Sequence, residues 1–119
     1  MKIVNIKNEQ GSFHIVSDNE VVDVTFGLNH PEITLEDNSM IVFDKVEAYY
    51  DLIGNADLFS MQDNSINLEA LLSEDNLISM DTVSGISYKG DDVSAIYKLG
   101  YHGYSIYYIQ RTGINPLAV

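Results

Sequence analysis

The sequence predicts an α+β fold, mainly an antiparallel β-sheet with one or two short helices in the middle of the chain. Short β-branched runs alternate with turns of Asn, Asp, Gly or Ser up to residue 43. The apolar spacing then becomes helical over residues 44–53, and from residue 77 onward the chain is strand-like again. We therefore expect a sheet of amino-terminal strands and a carboxy-terminal, tyrosine-rich meander, with the helices packed on one face.

The amino-terminal strands are recognised by their β-branched residues and by the turn residues between them. In the third run, valines alternate with polar residues, which indicates one buried and one solvated face. The expected strands before the first helix are residues 2–7, 12–17, 21–26, 32–36 and 40–43.

The first helix is expected over residues 44–53. Asp44 precedes Glu47 by three positions, the spacing of a capping box. Four apolar side chains fall on one helical face and are expected to be buried: Val46, Tyr49, Tyr50 and Ile53. A second, shorter helix is expected over residues 65–73, where three leucines are spaced for a helix.

The carboxy-terminal meander is expected from strands at residues 83–88, 93–99 and 104–110. Six of the eight tyrosines lie between residues 88 and 108, so both faces of the last hairpin carry large side chains. Such a hairpin is either covered on both faces or exposes one of them. Tyr101 and Tyr107 are the candidates for exposed anchors, with His102 beside Tyr101 at the expected hairpin tip.

The size and charge of the chain restrict its function. A length of 119 residues with 45% hydrophobic residues predicts a single domain spanning residues 1–119. The net charge is −12, and residues 8–88 hold 16 acidic side chains against one basic side chain, Lys45. Because proteins bind nucleic acid through Lys and Arg, this charge predicts no direct nucleic-acid binding. It predicts instead attraction to a basic protein.

Sequence motifs for catalysis, metal binding or cofactor binding are missing. The three histidines are scattered, cysteine is absent, and no phosphate-binding or metalloprotease pattern occurs. We therefore expect no enzymatic activity, no catalytic residue, no metal and no cofactor. No apolar run approaches the ~20 residues of a membrane span, and the first residues do not resemble a signal peptide. The expected location is the cytoplasm, without membrane contact.

The leading functional expectation is a small acidic protein that inhibits or neutralises a basic, nucleic-acid-handling protein. In size, charge and lack of motifs the chain resembles toxin immunity proteins and phage-encoded anti-defence proteins such as inhibitors of CRISPR effectors, although no family motif carries this resemblance. Carboxylates would take the place of phosphates, as in nucleic-acid mimicry. The expected partner-binding residues are Tyr101, Tyr107 and His102, with Glu74, Asp75, Asp91 and Asp92 as steering charges.

Two other function classes remain open at this point. One is a structural or assembly protein that forms a homodimer through the tyrosine-rich hairpin, so that both a monomer and a homodimer are considered. The other is a small enzyme with an unfamiliar site, which a deep pocket holding a histidine and a carboxylate would support.

Overall fold

The computed structural model describes residues 1–9, 12–16, 21–25, 30–81, 87–88 and 91–111. The predicted fold class is confirmed, because a mainly antiparallel sheet is combined with two short helices between the amino-terminal strands and the carboxy-terminal meander. The elements are β1 (Ile3–Glu9), β2 (Ser12–Val16), β3 (Val21–Thr25), β4 (His30–Leu35), β5 (Met40–Phe43), α1 (Val46–Ile53), β6 (Phe59–Ser60), β7 (Ser65–Ile66), α2 (Leu68–Leu71), β8 (Leu77–Asp81), β9 (Ser87–Tyr88), β10 (Asp91–Tyr101) and β11 (Tyr104–Arg111).

The main sheet follows the order β1-β4-β5-β11-β10-β9-β2-β3, and β6 and β7 form a separate small hairpin. The long strand β10 pairs with β11 along one edge. Along its other edge β10 pairs with β9 at Asp91 and Asp92 and with β8 at residues 96–99. The predicted meander is therefore joined by one more strand, β8. Residues 17, 26 and 83–86 of the predicted strands lie outside the described residues.

The central strands are buried on both faces. In β11, Ile106 and Tyr108 belong to a helix-side core beneath α1 and α2, whereas Ile109 belongs to a second core on the opposite face, against which Tyr107 packs. The continuous apolar run of β5 has the same explanation, since Ile41 and Phe43 face the first core and Met40 and Val42 the second. Of the two arrangements considered for the tyrosine-rich hairpin, the chain therefore adopts the one with two covered faces.

The first helix forms, but its buried face differs from the predicted one. Ala48 and Leu52 are fully buried, Tyr49 and Ile53 are partly buried against the helix-side core, and Tyr50 is 63% exposed. The small side chain of Ala48 allows the helix to approach the sheet closely, which turns the buried stripe by about one position relative to the expectation. The predicted capping box does not form, because Lys45 is the N-cap and makes no side-chain cap hydrogen bond.

The second helix is shorter than predicted. Ser65 and Ile66 pair with β6, so only Leu68–Leu71 is helical. Asn67 caps this turn by accepting a hydrogen bond from the amide of Ala70 at 3.2 Å. None of the helices in the described ranges is long and apolar enough to cross a membrane.

The tip of the β10–β11 hairpin is a two-residue turn. Tyr101 pairs with Tyr104, and the turn residues His102 and Gly103 have φ values of 48° and 83°. Positive φ at both positions is the requirement of a type I′ turn, which matches the twist of the two strands. The expected strands at residues 93–99 and 104–110 leave a four-residue loop from Gly100 to Gly103. The observed turn is two residues shorter than that loop.

Substitution of Gly103 by Ala is expected to lower the free energy of unfolding by about 1 kcal/mol, because a Cβ at positive φ is strained. A Cβ at this position would meet nothing within 4 Å, so the cost is conformational rather than steric. Gly103→Asn should cost less, since Asn tolerates this region. Urea unfolding of the two variants measures the difference, and equal stability of all three proteins would contradict the assigned turn.

Candidate functional site

The segment between β5 and β8 forms an acidic layer over one face of the sheet. This segment, residues 44–76, is called the acidic cap. It contains α1, α2 and the β6–β7 hairpin, and its apolar side chains complete the helix-side core. Eight of its residues are Asp or Glu and one is basic, Lys45, giving a segment charge of −7. The acidic cap thus packs on the sheet through its apolar side chains, while its carboxylates face outward.

Nearly all carboxylates of the acidic cap are exposed. Asp44 is partly buried, and the other seven are exposed: Glu47, Asp51, Asp57, Asp63, Glu69, Glu74 and Asp75. Among the described residues, only Asp51 of this set lies within ion-pair distance of a basic side chain, that of His102. Lys2 reaches the rim of the cap, where its Nζ donates to the main-chain oxygen of Asp63 at 2.8 Å. The cap therefore presents a negative surface with few positive charges on it.

Asp51 connects the acidic cap to the tip of the β10–β11 hairpin. Its Oδ1 accepts a hydrogen bond from the Tyr101 hydroxyl at 3.1 Å and lies 3.0 Å from His102 Nδ1. Asn55 Nδ2 donates to the same Tyr101 hydroxyl at 3.1 Å. The rings of Tyr101 and His102 stack with centroids 4.1 Å apart. These contacts hold the exposed imidazole of His102 beside the negative surface.

Tyr101 differs from its expected role as an exposed anchor. Its side chain is only 4% exposed, because the two-residue turn extends β10 to Tyr101 and directs the ring into the helix-side core. Burial, together with the nearby carboxylate of Asp51, raises the pKa of the Tyr101 hydroxyl. Tyr107 is partly buried on the opposite face, where burial and the charge of Asp44 raise its pKa. The two tyrosines therefore do not share a surface.

The predicted steering charges lie in two places. Glu74 and Asp75 are exposed in the turn before β8, next to the hairpin end, since the amide of Gly100 donates to the carbonyl of Asn76 at 2.7 Å. Asp91 and Asp92 begin β10, nine or ten residues before Tyr101, which corresponds to about 30 Å along an extended strand. Glu74 and Asp75 therefore lie toward the end of β10 that carries Tyr101 and His102, whereas Asp91 and Asp92 lie at its other end.

Sequence reasoning assigned no role to β8, an apolar strand with exposed side chains. Ile78 is 58% exposed, Met80 is 53% exposed, and Leu77 is also exposed. Across the described ranges, β8 pairs with β10 alone, so one of its edges faces no other strand. A signal existed in the sequence, because β8 has no Lys or Pro to protect an edge. Glu74 and Asp75 lie in the turn that precedes β8.

A buried polar contact on the second face was also missed. Glu32 and His30 in β4 are each about 1% exposed, and the Tyr88 hydroxyl donates to Glu32 Oε1 at 2.7 Å. Burial and the contact with this carboxylate raise the pKa of Tyr88 well above its usual range. Alternation within the expected strand at residues 32–36, with Ile33 and Leu35 facing inward, predicts a solvated face for Glu32. That face is covered, because Tyr88, 56 residues later in the chain, packs over it.

The described part of the chain has two further features that bear on metal binding and catalysis. There, no group of three or more His, Asp or Glu residues is placed to hold a metal ion. A cavity of about 310 Å³ lies beside the β6–β7 hairpin; its lining includes Asp57 and the amino-terminal Met1 but no histidine among the described residues. Comparison of the chain with family models, with curated proteins and with solved structures finds no match.

Proposed function

We propose that the chain is a cytoplasmic binding protein that inhibits or neutralises a basic, nucleic-acid-handling protein through its acidic cap. The observation that carries the proposal is the concentration of seven exposed carboxylates in one layer that contains a single basic residue. Surfaces of one charge sign accelerate encounter with partners of the opposite sign. Carboxylates in such a layer also offer the oxygen acceptors that Lys and Arg side chains use when they bind phosphates.

The placement of charge in α1 supports a binding role over a purely structural one. Glu47 and Asp51 are four residues apart on the helix, so their like charges are neighbours on its surface. Asp51 lies in the last turn, where the helix dipole disfavours a carboxylate, and that turn has no basic residue. Helix stability alone would favour the opposite distribution. A partner that supplies positive charge would relieve both unfavourable terms.

Two settings fit this activity: immunity to a nuclease toxin, and phage-encoded inhibition of a CRISPR effector or restriction enzyme. In either setting, the chain would occupy a Lys- and Arg-rich channel of its partner that otherwise holds nucleic acid. The proposed mechanism is therefore competitive. Nucleic acid and the acidic chain should exclude each other from the partner.

The two alternative functions find less support in the arrangement of the described residues. A homodimer through the tyrosine-rich hairpin would need a free surface there, but β5 pairs with β11, β8 and β9 pair with β10, and both faces are covered. An enzyme would need a pocket with a histidine and a carboxylate, and the cavity beside β6–β7 does not combine the two. The buried pair of Glu32 and Tyr88 is already engaged in a hydrogen bond.

The test begins with capture of host proteins on the immobilised chain at about 50 mM salt, followed by elution with duplex DNA as competitor. Association of an eluted partner is then measured for two variants with equal charge changes. Glu47→Gln/Glu69→Gln removes two charges from the acidic cap, and Glu36→Gln/Asp37→Asn removes two exposed charges elsewhere. We expect the cap variant to associate about tenfold more slowly at low salt and the control less than twofold more slowly.

Equal rates for the two double variants, or association that does not slow as salt is raised, would contradict the proposal and leave the acidity as a solubility feature. His102 is exposed and Tyr107 is partly buried, and both are expected to contact the partner. The dissociation rates of His102→Ala and Tyr107→Phe from the partner test these two contacts. Tyr101→Ala is unsuitable as a binding test, because removal of a ring that is 4% exposed would disturb the core.

A further inference from the structure

Strand β8 combines exposed apolar side chains with an edge that pairs with no strand of the described residues. Its five residues, Leu77–Asp81, form one of the outer strands of the main sheet, and within the described ranges β10 is its sole partner. The register shift in this pairing falls next to Leu77, so the stretch from Ser79 to Asp81 continues in regular register. Proteins usually protect such edges with Lys, Pro or a covering segment, because the free main-chain groups can pair with another strand.

The apolar side chains of β8 lie on both faces of the sheet. Met80 is opposite Tyr97, whose ring packs against the helix-side core. Ile78 lies over Gly100, where its Cδ1 would be 3.2 Å from a Cβ on that residue. An incoming strand beside β8 would therefore find an apolar neighbour on each face as well as main-chain partners. This combination is the one used when a peptide adds a strand to a sheet.

The charges around β8 indicate which kind of segment could pair with this strand. Glu74 and Asp75 precede the strand and are exposed, Asp81 ends it, and Lys98 opposite Ser79 is the one basic residue of the adjoining part of β10. A second copy of the chain would bring a further net charge of −12 to this edge. An extended segment with apolar residues in its centre and Lys or Arg at its ends matches both the apolar side chains and the flanking carboxylates.

We propose that β8 is the docking strand for an extended, basic segment of the partner, which adds to the main sheet in a β-augmentation. The identity of the partner as a basic protein rests on the proposed function above. In this arrangement the acidic cap attracts the partner, and β8 then forms the short-range contacts. Main-chain hydrogen bonds provide affinity, while Ile78, Met80 and the flanking acids provide selectivity.

The test uses three labelled peptides of about eight residues in fluorescence anisotropy at ~150 mM salt. The first has lysine at both ends and alternating valine and threonine between them, the second replaces lysine with glutamate, and the third is the basic peptide with N-methyl groups on alternate amides. We expect the basic peptide to bind, and the other two to bind at least about tenfold more weakly, because one lacks the charge and the other lacks main-chain donors.

Two protein variants with the same charge change locate the binding edge. Met80→Lys places a positive charge on β8, and Val4→Lys places one on β1, at the end of the strand order and outside the acidic cap, at a side chain that is 63% exposed. We expect Met80→Lys to weaken binding of the basic peptide about tenfold or more and Val4→Lys less than about twofold. The peptide series needs no protein variant, so it decides the question even if Met80→Lys alters stability.

Three results would overturn the assignment of β8. The first is no binding of the basic peptide, and the second is equal binding of its N-methylated form, which would mean ion pairing without strand addition. The third is a dimer in sedimentation that Met80→Lys dissociates, which would make a second copy the occupant. None of these touches the proposed function, which depends on the kinetics of the two charge-neutralised double variants.

Discussion

Leu52→Ala is expected to lower the free energy of unfolding by about 3 kcal/mol, whereas Tyr50→Ala should change it by less than about 1 kcal/mol. Leu52 is fully buried in the helix-side core, and its truncation would leave a cavity between α1 and the sheet. Tyr50 is 63% exposed, so its ring contributes little buried area. Urea or thermal unfolding of the two variants measures the difference.

This pair of variants decides which face of α1 packs on the sheet. The face predicted from the sequence contains Tyr50 and omits Leu52, and it implies the opposite order of stabilities. A larger loss for Tyr50→Ala than for Leu52→Ala would therefore contradict the observed packing. Circular dichroism of both variants should keep the native spectrum, because neither substitution introduces a residue that breaks a helix.

Tyr88→Phe is expected to lower the free energy of unfolding by about 2 kcal/mol at pH 7, because the buried Glu32 carboxylate loses a charged hydrogen bond. The difference in the free energy of unfolding between the natural chain and Tyr88→Phe should become smaller at alkaline pH. The folded state raises the pKa of Tyr88, so the native protein keeps a phenolic proton that the unfolded chain releases near about pH 10. The contribution of the Tyr88 hydroxyl to the free energy of unfolding is therefore fully present below about pH 10, and it declines as the pH rises further.

The decline amounts to about 1.4 kcal/mol for each pH unit and each such tyrosine. Tyr88→Phe lacks this contribution, so its stability should fall less steeply than that of the natural chain, and the two curves should meet near ~pH 11.5. Unfolding by urea at a series of pH values measures both curves. Tyr50→Phe, a change at an exposed ring, is the control and should follow the natural chain. Parallel curves for Tyr88→Phe would contradict the assigned environment of the hydroxyl.

Several elements were predictable because their information is local. Turn residues and β-branched runs place most strands within one or two residues of the observed bounds, and β5 agrees at both ends. The helical spacing identifies α1, but two neighbouring faces of the helix have the same spacing of apolar residues, one containing Tyr50 and the other Leu52. The choice between them depends on the fit of Ala48 and Leu52 to the sheet, which is a tertiary property.

The parts that were not predictable depend on pairing between distant residues. Glu32 is buried because Tyr88 packs on it, and alternation within β4 contains no information about that contact. Tyr101 was expected at an exposed tip, but the shorter turn makes it the last residue of β10. The exposure of Glu74, Asp75 and His102 follows from their turn positions. The lack of Lys and Pro in β8 is visible in the sequence, but its pairing with β10 alone among the described residues depends on the strand order.

The position of β11 between β5 and β10 affects how the chain behaves while it is being synthesised. Phe43 pairs with Ile106, so β5 must wait for more than 60 further residues, which takes several seconds at about 5–20 residues per second. During this time an apolar strand with an unpaired edge is open to association with other nascent chains. The residues that emerge directly after β5 are those of the acidic cap, with a segment charge of −7. We expect mutual repulsion of these segments to keep neighbouring nascent chains apart until β11 is synthesised, a gatekeeper effect that requires no partner.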